Sequence, residues 1–325
     1  MNSPIVSVIV PIYNVAPYIQ RCVRSLMLQS LRDIEFIFVD DASPDDSIEL
    51  AKKEVARFKR NVRFLVHPEN RGLPAARNTG MAEALGKYIY HCDSDDYLEP
   101  NALEILYKTA KANDADFVYS DFYLDFGTNR RYMDNPDYVS ADIMIKDGFL
   151  AGKMKYNVWN KLIKRDLYKN IAFPEGHSMG EDMTIIRLAT KVAHPVHVKL
   201  AMYHWMKDNA DAFSFHYSPR HLEDLQFNVQ QTIEYLQENW DTKDKERYIA
   251  YFKLGIKLPF LLSGEKRQYR LWRSWYPESN HYIWSNTTLP VRTRMVQLLA
   301  KWRLYSGVRL YAKAINKHYQ VRYGK

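Results

Sequence analysis

The feature that most constrains this chain is the regular alternation of short apolar runs and amphipathic stretches over its first 120 residues. Five runs rich in β-branched and aromatic residues are predicted to be buried strands, at 5–10, 34–39, 62–66, 87–92 and 116–120. Helical spacing of apolar residues separates them, at 15–29, from Ser43 onward, at 73–85 and at 100–112. This order indicates an α/β fold, in which a mostly parallel sheet is covered by helices on both faces.

Polar residues follow each of the first four predicted strands. They are residues 11–14, 40–41, 70–72 with 76–78, and 93–96. The carboxyl ends of parallel strands form one edge of such a sheet, and ligands bind there. The sequences GxGxxG and GxxxxGK[ST] do not occur after the first strand. This argues against a nicotinamide-dependent enzyme and against a P-loop nucleotidase.

The acidic cluster Asp93, Asp95 and Asp96 directly follows the fourth predicted strand. Three carboxylates within four residues repel one another unless a cation lies between them. Hard oxygen ligands on a short turn suit Mg²⁺ or Mn²⁺, which keep positions open for substrate phosphate oxygens. The alternative is that the turn only caps the helix that starts near Pro100.

Four motifs occur in order at these strand ends: Pro-Ile-Tyr-Asn at 11–14, Val-Asp-Asp-Ala-Ser at 39–43, Asn-Arg-Gly-Leu-Pro-Ala-Ala-Arg-Asn-Thr-Gly at 70–80, and Asp-Ser-Asp-Asp at 93–96. Together they resemble the inverting glycosyltransferases of family 2, which have the GT-A fold and include many bacterial surface-polysaccharide enzymes. The resemblance covers roughly residues 4–210. One departure is Ala42, where the family usually has glycine, and it affects turn geometry more than chemistry.

The resemblance implies a nucleotide-sugar donor site. The backbone from Pro11 to Tyr13 would cradle the nucleoside, and Asp41 would accept the N–H of a uracil base. Either Arg71 or Arg77 would contact the base or the diphosphate. Asp93 would hold the ribose or a metal-bound water, and Asp95 and Asp96 would bring Mn²⁺ or Mg²⁺ to the diphosphate, with Asp93 as a further ligand. The metal would neutralise the charge that develops on the departing nucleoside diphosphate.

An inverting transfer also needs a carboxylate that takes the proton of the acceptor hydroxyl. The resemblance assigns this base to Asp182, with Glu181 as its neighbour, in the Gly-Glu-Asp-Met sequence at 180–183. The alternative for this pair is a helix N-terminal cap without catalysis. Four further residues are candidates for the acceptor site, each with a structural alternative as a core or loop residue: Trp159, Asn160, Lys161 and His177.

Charge is divided unevenly along the chain. The whole carries 46 basic and 38 acidic residues, a net charge of +8, but residues 243–325 hold 18 basic and 4 acidic ones. Within them, apolar residues recur at three- and four-residue steps from Val291 to Tyr319, with Lys and Arg between them. This pattern is typical of a basic amphipathic helix that lies on an anionic membrane. The alternatives are a helix packed on the catalytic domain, or a nucleic-acid partner, which no motif supports.

These observations together predict a GT-A domain at 1–215, with a nucleotide-sugar-binding half at 1–120 and an acceptor half at 121–215, followed by a helical basic region at 216–325. The expected activity is metal-dependent, inverting transfer of a sugar, most simply from a UDP-sugar, to a glycan or lipid-linked acceptor. The competing interpretations are a nucleotidyltransferase of similar fold and a non-catalytic scaffold. Without a signal peptide or spanning segment, the chain is expected in the cytoplasm, either free or peripheral on the inner face of the membrane.

Overall fold

A computed structural model describes residues 3–207, 218–263 and 265–323. The chain forms two compact units, and each is described by itself. The N-terminal unit comprises Met1–Ala141 and Tyr156–Leu236, and the C-terminal unit comprises Asp142–Lys155 and Gln237–Lys325. This division differs from the expected boundary at residue 215, because most of a long helix stays with the first unit and the segment 142–155 belongs to the second.

The described part of the N-terminal unit is built on one nine-stranded sheet. Its strands are β1 (Val6–Ile12), β2 (Ile34–Asp40), β3 (Asn61–Val66), β4 (Tyr88–His91), β5 (Tyr97–Leu98), β6 (Phe117–Asp125), β7 (Arg130–Met133), β8 (Lys161–Lys164) and β9 (Pro195–Met206). They lie in the order β3-β2-β1-β4-β8-β6-β9-β5, and β7 pairs with β6. β3, β2, β1 and β4 are mutually parallel, β6 is parallel to β9, and β8 runs antiparallel between β4 and β6.

The burial of the central strands explains why their sequences are so apolar. Every residue of β1, β2 and β4 is buried, whereas the edge strand β3 is only partly buried. Helices α1 (Ala16–Met27), α3 (Leu73–Glu83) and α4 (Ala102–Ala112) pack on the sheet, and α2 (Ser47–Val55) packs on α1. The unit continues with α6 (Thr184–Ala189) and α7 (Pro219–Asn239), and the last residues of α7 and of the single turn α5 (Ala141–Ile143) belong to the second unit. The predicted α/β class with a mostly parallel, helix-covered sheet is therefore confirmed.

The start of α2 corrects one prediction. Ser43 and Pro44 lie in the turn before the helix, which begins at Ser47. The Asp45 carboxylate accepts hydrogen bonds from the N–H groups of Ser47 and Ala16, at 3.1 and 2.9 Å. The Asp45 carboxylate thus connects the start of α2 to the start of α1.

The C-terminal unit is helical over its described residues, as predicted. It contains a π-helical segment (Met144–Leu150) and the helices α8 (Lys245–Lys257), α9 (Pro259–Leu262), α10 (Lys266–Ser274), α11 (Val291–Lys301) and α12 (Tyr305–Tyr323), with a 3₁₀ turn at Pro277–Tyr282. Its buried apolar side chains include Ile249, Phe252, Leu261, Trp272 and Val308. None of the helices in the described part of the chain has the length and apolar character needed to cross a membrane.

Candidate active site

The ends of β1, β2 and β4 bring three of the predicted donor-site residues to one edge of the sheet. Ile12, the last residue of β1, lies beside Asp40 in β2, and Ile9 lies beside His91 in β4. Tyr13 and Asp41 directly follow β1 and β2, and Asp93 lies two residues after the end of β4. Tyr13 is 47% exposed, whereas Pro11 before it is buried. The edge therefore presents an accessible aromatic ring, the buried carboxylate of Asp41 and the partly exposed carboxylate of Asp93.

Arg77 joins three carboxylates from two distant segments of the chain. From α3, its guanidinium donates to Asp182 Oδ1 at 2.6 Å, to Glu181 Oε1 at 2.8 Å and to Asp93 Oδ1 at 3.0 Å. Arg77 is 1% exposed, so these ion pairs are shielded from water on its side. We call Arg77, Asp93, Glu181 and Asp182 the carboxylate cluster. The structure thus unites the predicted donor residue Asp93 with the predicted base.

The carboxylate cluster has more acids than its single guanidinium can neutralise. Burial raises the pKa of Asp93 to about 6, against the opposing effect of Arg77. Burial, together with repulsion from Asp182, raises the pKa of Glu181 well above its usual range. Burial alone would lower the pKa of Arg77, but the three carboxylates raise it, so this guanidinium stays charged. Excess negative charge of this kind favours a cation or a proton at the site.

Glu181 and Asp182 are presented on a 3₁₀ turn, Glu181–Met183, that leads into α6. Gly180 before it has φ +87°, a left-handed conformation that favours glycine. The two acids differ in access, since the Asp182 side chain is 24% exposed and that of Glu181 is 9% exposed. Of this pair, Asp182 is the carboxylate that a substrate hydroxyl can reach more readily.

Asp41 organises the loop before α3. Its Oδ1 accepts from the N–H of Arg71 at 2.9 Å and lies 2.6 Å from His67 Nδ1, while its Oδ2 accepts from the N–H of Gly72 at 2.7 Å. His67, which sequence reasoning missed, also lies 2.9 Å from Thr79 Oγ1. Ala42, where the family usually has glycine, has φ +55°, the conformation in which glycine is favoured.

The two arginines that sequence reasoning could not separate have different surroundings. Arg77 is buried among carboxylates. The Arg71 side chain is 43% exposed and its Nη2 donates to Glu175 Oε2 at 2.9 Å. Arg71 is thus the arginine with access to a ligand outside the protein.

Asp95 and Asp96 also differ. Asp96 is 1% exposed, and its two oxygens accept from Tyr203 Oη at 2.6 Å and from the N–H of Met206 at 2.8 Å. Burial, with repulsion from Asp95 and Asp93, raises its pKa well above the usual range. Asp95 is only partly buried, and its carbonyl accepts from Arg21. Asp96 therefore connects β9 to the acidic turn through both of its oxygens.

Three of the four acceptor candidates lie beneath the surface. Trp159 is 3% exposed and stacks on Tyr203 with ring centroids 4.5 Å apart, so the core alternative describes it. Asn160 and Lys161 are 0% and 1% exposed, and Lys161 Nζ donates to Asn160 Oδ1 at 2.9 Å. Burial lowers the pKa of Lys161 to about 7, although the charge of Asp182 opposes this. These three side chains are buried and are therefore not accessible for direct contact with an acceptor.

The fourth candidate, His177, belongs to a loop that α7 holds in place. Its Nδ1 lies 3.2 Å from Asp224 Oδ1, and its ring stacks on Phe227. Asp224 also accepts from the N–H of Ser178 at 3.1 Å, and Asn228 donates to the carbonyls of His177 and Met179, both at 3.0 Å. Asp224 and Asn228 were not singled out from the sequence, where they look like polar residues of an ordinary amphipathic helix.

Among the residues that the structure describes, no group of three or more His, Cys, Asp or Glu side chains is arranged to hold a metal ion by itself. The acids at the carboxyl end of β4 that retain access are Asp93, whose side chain is 28% exposed, and Asp95. Mg²⁺ and Mn²⁺ are commonly bound through one or two carboxylates, with water and substrate phosphates as the other ligands. The chemistry of this pair fits such a shared site.

Comparisons with known proteins identify the family of this chain. Residues 7–187 match Glycosyl transferase family 2. The glycosyltransferase EpsJ of Bacillus subtilis is 29% identical over 95% of both chains. The crystal structure of S. aureus TarS 1–349 in complex with UDP-GlcNAc has a TM-score of 0.68 and 20% identity, covering 97% of this chain and 92% of that one.

A more distant structure shares the fold and contains a metal ion. It is a mannosyltransferase from Pyrobaculum calidifontis in complex with GDP-Man and Mn²⁺, with a TM-score of 0.55 and 14% identity, covering 100% of this chain and 89% of that one. The family match spans more than half of the chain and includes all four members of the carboxylate cluster. The chain therefore belongs to glycosyl transferase family 2 and is a glycosyltransferase.

Proposed function

We propose that the N-terminal unit catalyses metal-assisted, inverting transfer of a sugar from a UDP-sugar to a hydroxyl group of a glycan or lipid-linked acceptor in polysaccharide synthesis. The observation that carries this proposal is the carboxylate cluster, in which Arg77 holds a donor-side acid and the proposed base in one network. The UDP-GlcNAc in the TarS structure supports the donor class. Family membership favours sugar transfer over the nucleotidyl transfer considered from the sequence.

The donor nucleoside would lie at the end of β1, with its base on the exposed ring of Tyr13 and the backbone from Pro11 beside it. The Asp41 oxygens already accept from the N–H groups of Arg71 and Gly72. Asp41 would therefore position the loop beside the nucleobase. The Arg71 guanidinium, on the exposed side of this loop, would then be available to the base or the diphosphate. This arrangement uses a preformed loop and needs little reorganisation when the donor binds.

Asp93 and Asp95 would hold the divalent cation, Mn²⁺ or Mg²⁺, together with donor phosphate oxygens. When bound, such a cation neutralises the charge of the leaving diphosphate. Asp96 is not part of the ligand set that we propose, because Tyr203 and Met206 occupy its oxygens. Its role is to fix the turn that carries Asp93 and Asp95.

Asp182 would accept the proton of the attacking hydroxyl. Its oxygen is held by Arg77 at 2.6 Å, and its side chain is more exposed than that of Glu181. Glu181 contributes charge and packing behind it. Arg77 bonds to both Asp182, the proposed general base, and Asp93 on the donor side. Its guanidinium would therefore set the distance between the donor side and the acceptor side of the reaction.

Thermal shifts test the donor and the metal together. Wild type should be stabilised by UDP with Mn²⁺, by about 2.7 kcal/mol at a ligand concentration 100 times Kd, and clearly less by UDP with EDTA. Asp95→Ala should lose the Mn²⁺-dependent part, whereas Asp166→Ala, which removes an exposed acid of the same unit, should keep it. Equal stabilisation of wild type and Asp95→Ala by UDP with Mn²⁺ would contradict the metal assignment. A lack of UDP release from UDP-GlcNAc and other UDP-sugars would contradict the donor class.

We further propose that the C-terminal unit binds an anionic membrane surface. Val291, Met295 and Trp302 lie on one face of α11 and its end and are 51%, 53% and 62% exposed, while Val296 and Ala300 on another face are buried. The predicted apolar stripe is therefore divided, since Val308 and Ala312 of α12 are also buried. An exposed apolar stripe in a region with 18 basic and 4 acidic residues suits a surface of anionic lipid. A lipid-linked acceptor would lie at such a surface.

A further inference from the structure

The C-terminal unit contains a polar cavity that the transfer reaction does not use. Its volume is about 410 Å³, within the range of small-molecule sites. Residues of the π-helical segment, of α8 and of the loop before α11 line it, namely Asp147, Lys153, Arg247, Tyr248, Ser285 and Thr287. All of these lie in one compact unit.

The charges around the cavity are already paired. Lys153 Nζ lies 3.2 Å from Asp147 Oδ2, and Arg247 Nη2 lies 2.9 Å from Asp244 Oδ2. Among the lining residues, a bare anion would meet the Asp147 carboxylate, and a bare cation would meet Lys153 and Arg247. Paired charges still offer hydrogen-bond donors and acceptors at fixed positions, which suits a neutral polar ligand.

One nitrogen donor in the cavity lining, Arg247 Nε, is buried without a hydrogen-bond partner among the described residues. Leaving a buried donor unpaired is costly. A ligand that brings acceptor oxygens would remove this cost.

The remaining lining groups are aromatic rings and hydroxyls. Tyr248 is partly buried, with the Arg247 guanidinium 5.5 Å from its ring centroid, and Tyr251 donates to the Ser285 carbonyl at 2.8 Å. Ring faces contact C–H surfaces, while hydroxyls and paired charges bond to polyol oxygens. From this combination we infer that the cavity is a second carbohydrate site, which binds one neutral sugar residue apart from the transferase centre. The inference does not depend on the transfer reaction.

Hydrogen–deuterium exchange of the full chain locates such binding. The probes are the methyl β-glycosides of glucose, galactose and N-acetylglucosamine, each added alone. We expect at least one of them to slow exchange in peptides that cover 244–251 and 285–288. Peptides that cover 176–182 report the acceptor side of the transferase separately, so failure of either proposal is visible without the other.

Thr287→Trp should fill the cavity and abolish the protection from exchange. Thr287→Glu introduces a smaller side chain at the same exposed position and should only weaken the protection. Ser306→Trp adds the same bulk at an exposed position of α12 and should leave the protection unchanged. The inference is overturned if none of the glycosides protects these peptides, or if protection persists in Thr287→Trp. Protection by inorganic phosphate but not by the glycosides would overturn it in favour of an anion site.

Discussion

At the scale of single residues, adjacent acids have different roles because their surroundings differ. Glu181 and Asp182 both bond to Arg77 Nη1, yet the Asp182 side chain retains more than twice the exposure of Glu181. Asp95 and Asp96 show the same contrast, because Asp96 is bonded on both oxygens inside the unit. In each pair the accessible member is the one to which we give a chemical role.

Asp182→Asn should lower transfer strongly and leave donor binding intact. The amide keeps the shape of the side chain but cannot accept a proton, and the loss of a positioned general base typically costs about 10²–10⁴ in rate. Steady-state kinetics measure the loss of transfer, and the UDP thermal shift measures whether donor binding is retained. Glu181→Gln is the comparison, and a larger loss of kcat there than in Asp182→Asn would move the base to Glu181.

Lys161 provides a test of pH dependence. Its pKa is lowered to about 7 in the folded protein, against 10.5 for its ordinary value. Between these values the unfolded chain binds more protons at this site, so its contribution to stability rises with pH and is lost as pH falls through 7. The free energy of unfolding of wild type minus that of Lys161→Met should therefore increase between pH 7 and 9, by at most about 1.4 kcal/mol per pH unit. Denaturant unfolding at several pH values measures this, and a flat or falling difference would contradict the burial effect.

At the scale of elements, α7 determines the position of the loop that carries the proposed base. Asp224 and Asn228 together bond to Ser178, His177 and Met179, immediately before Gly180. Because these hydrogen bonds act on the loop, we describe Asp224 and Asn228 as positioning residues. A shift of this loop would move Asp182, because only a few residues separate the two.

Asn228→Ala should lower kcat and leave the KM for the UDP-sugar nearly unchanged. It removes two buried hydrogen bonds to the loop, and a small displacement of a catalytic group is costly in rate. Gln230→Ala, on the exposed side of the same helix, is the matched control, since Gln230 bonds only to Glu234 in the described structure. A loss of stability with unchanged kcat would show that Asn228 is structural alone.

At the scale of the whole molecule, the basic residues are concentrated in the region that also carries the exposed apolar stripe of α11. Residues 243–325 are strongly basic, while the rest of the chain has more acids than bases. A catalytic unit of that sign is repelled by anionic lipid, so any attachment depends on the basic region.

Binding to vesicles tests this distribution. We expect the full chain to co-sediment with anionic vesicles and to bind neutral vesicles little, because the basic region has no anionic charge to attract it there. High salt should weaken the binding to anionic vesicles without abolishing it, because screening weakens charge attraction but not apolar burial. Met295→Ser with Trp302→Ser should reduce the part that remains at high salt. Val139→Ser, at an apolar position 88% exposed in the N-terminal unit, is the control and should have no effect. An absence of co-sedimentation at low salt would remove the membrane proposal.

The sequence by itself determined the fold class and the family of this protein. Buried parallel strands need near-continuous apolar runs, which can be recognised in a single sequence. The grouping of acids and arginines at the strand ends could also be predicted, because the carboxyl ends of parallel strands share one edge of a sheet. The helical character of the C-terminal region followed from its three- and four-residue spacing.

Only the tertiary structure decided which of these residues meet and which are accessible. Arg77 bonds to acids up to 105 positions away, and Asp45 connects the starts of α1 and α2. Trp159 and Lys161 are buried although their sequence context is compatible with a surface site. The physical reason is that periodicity reports the local environment of a residue, whereas ion pairs and burial depend on partners that only long-range packing brings together.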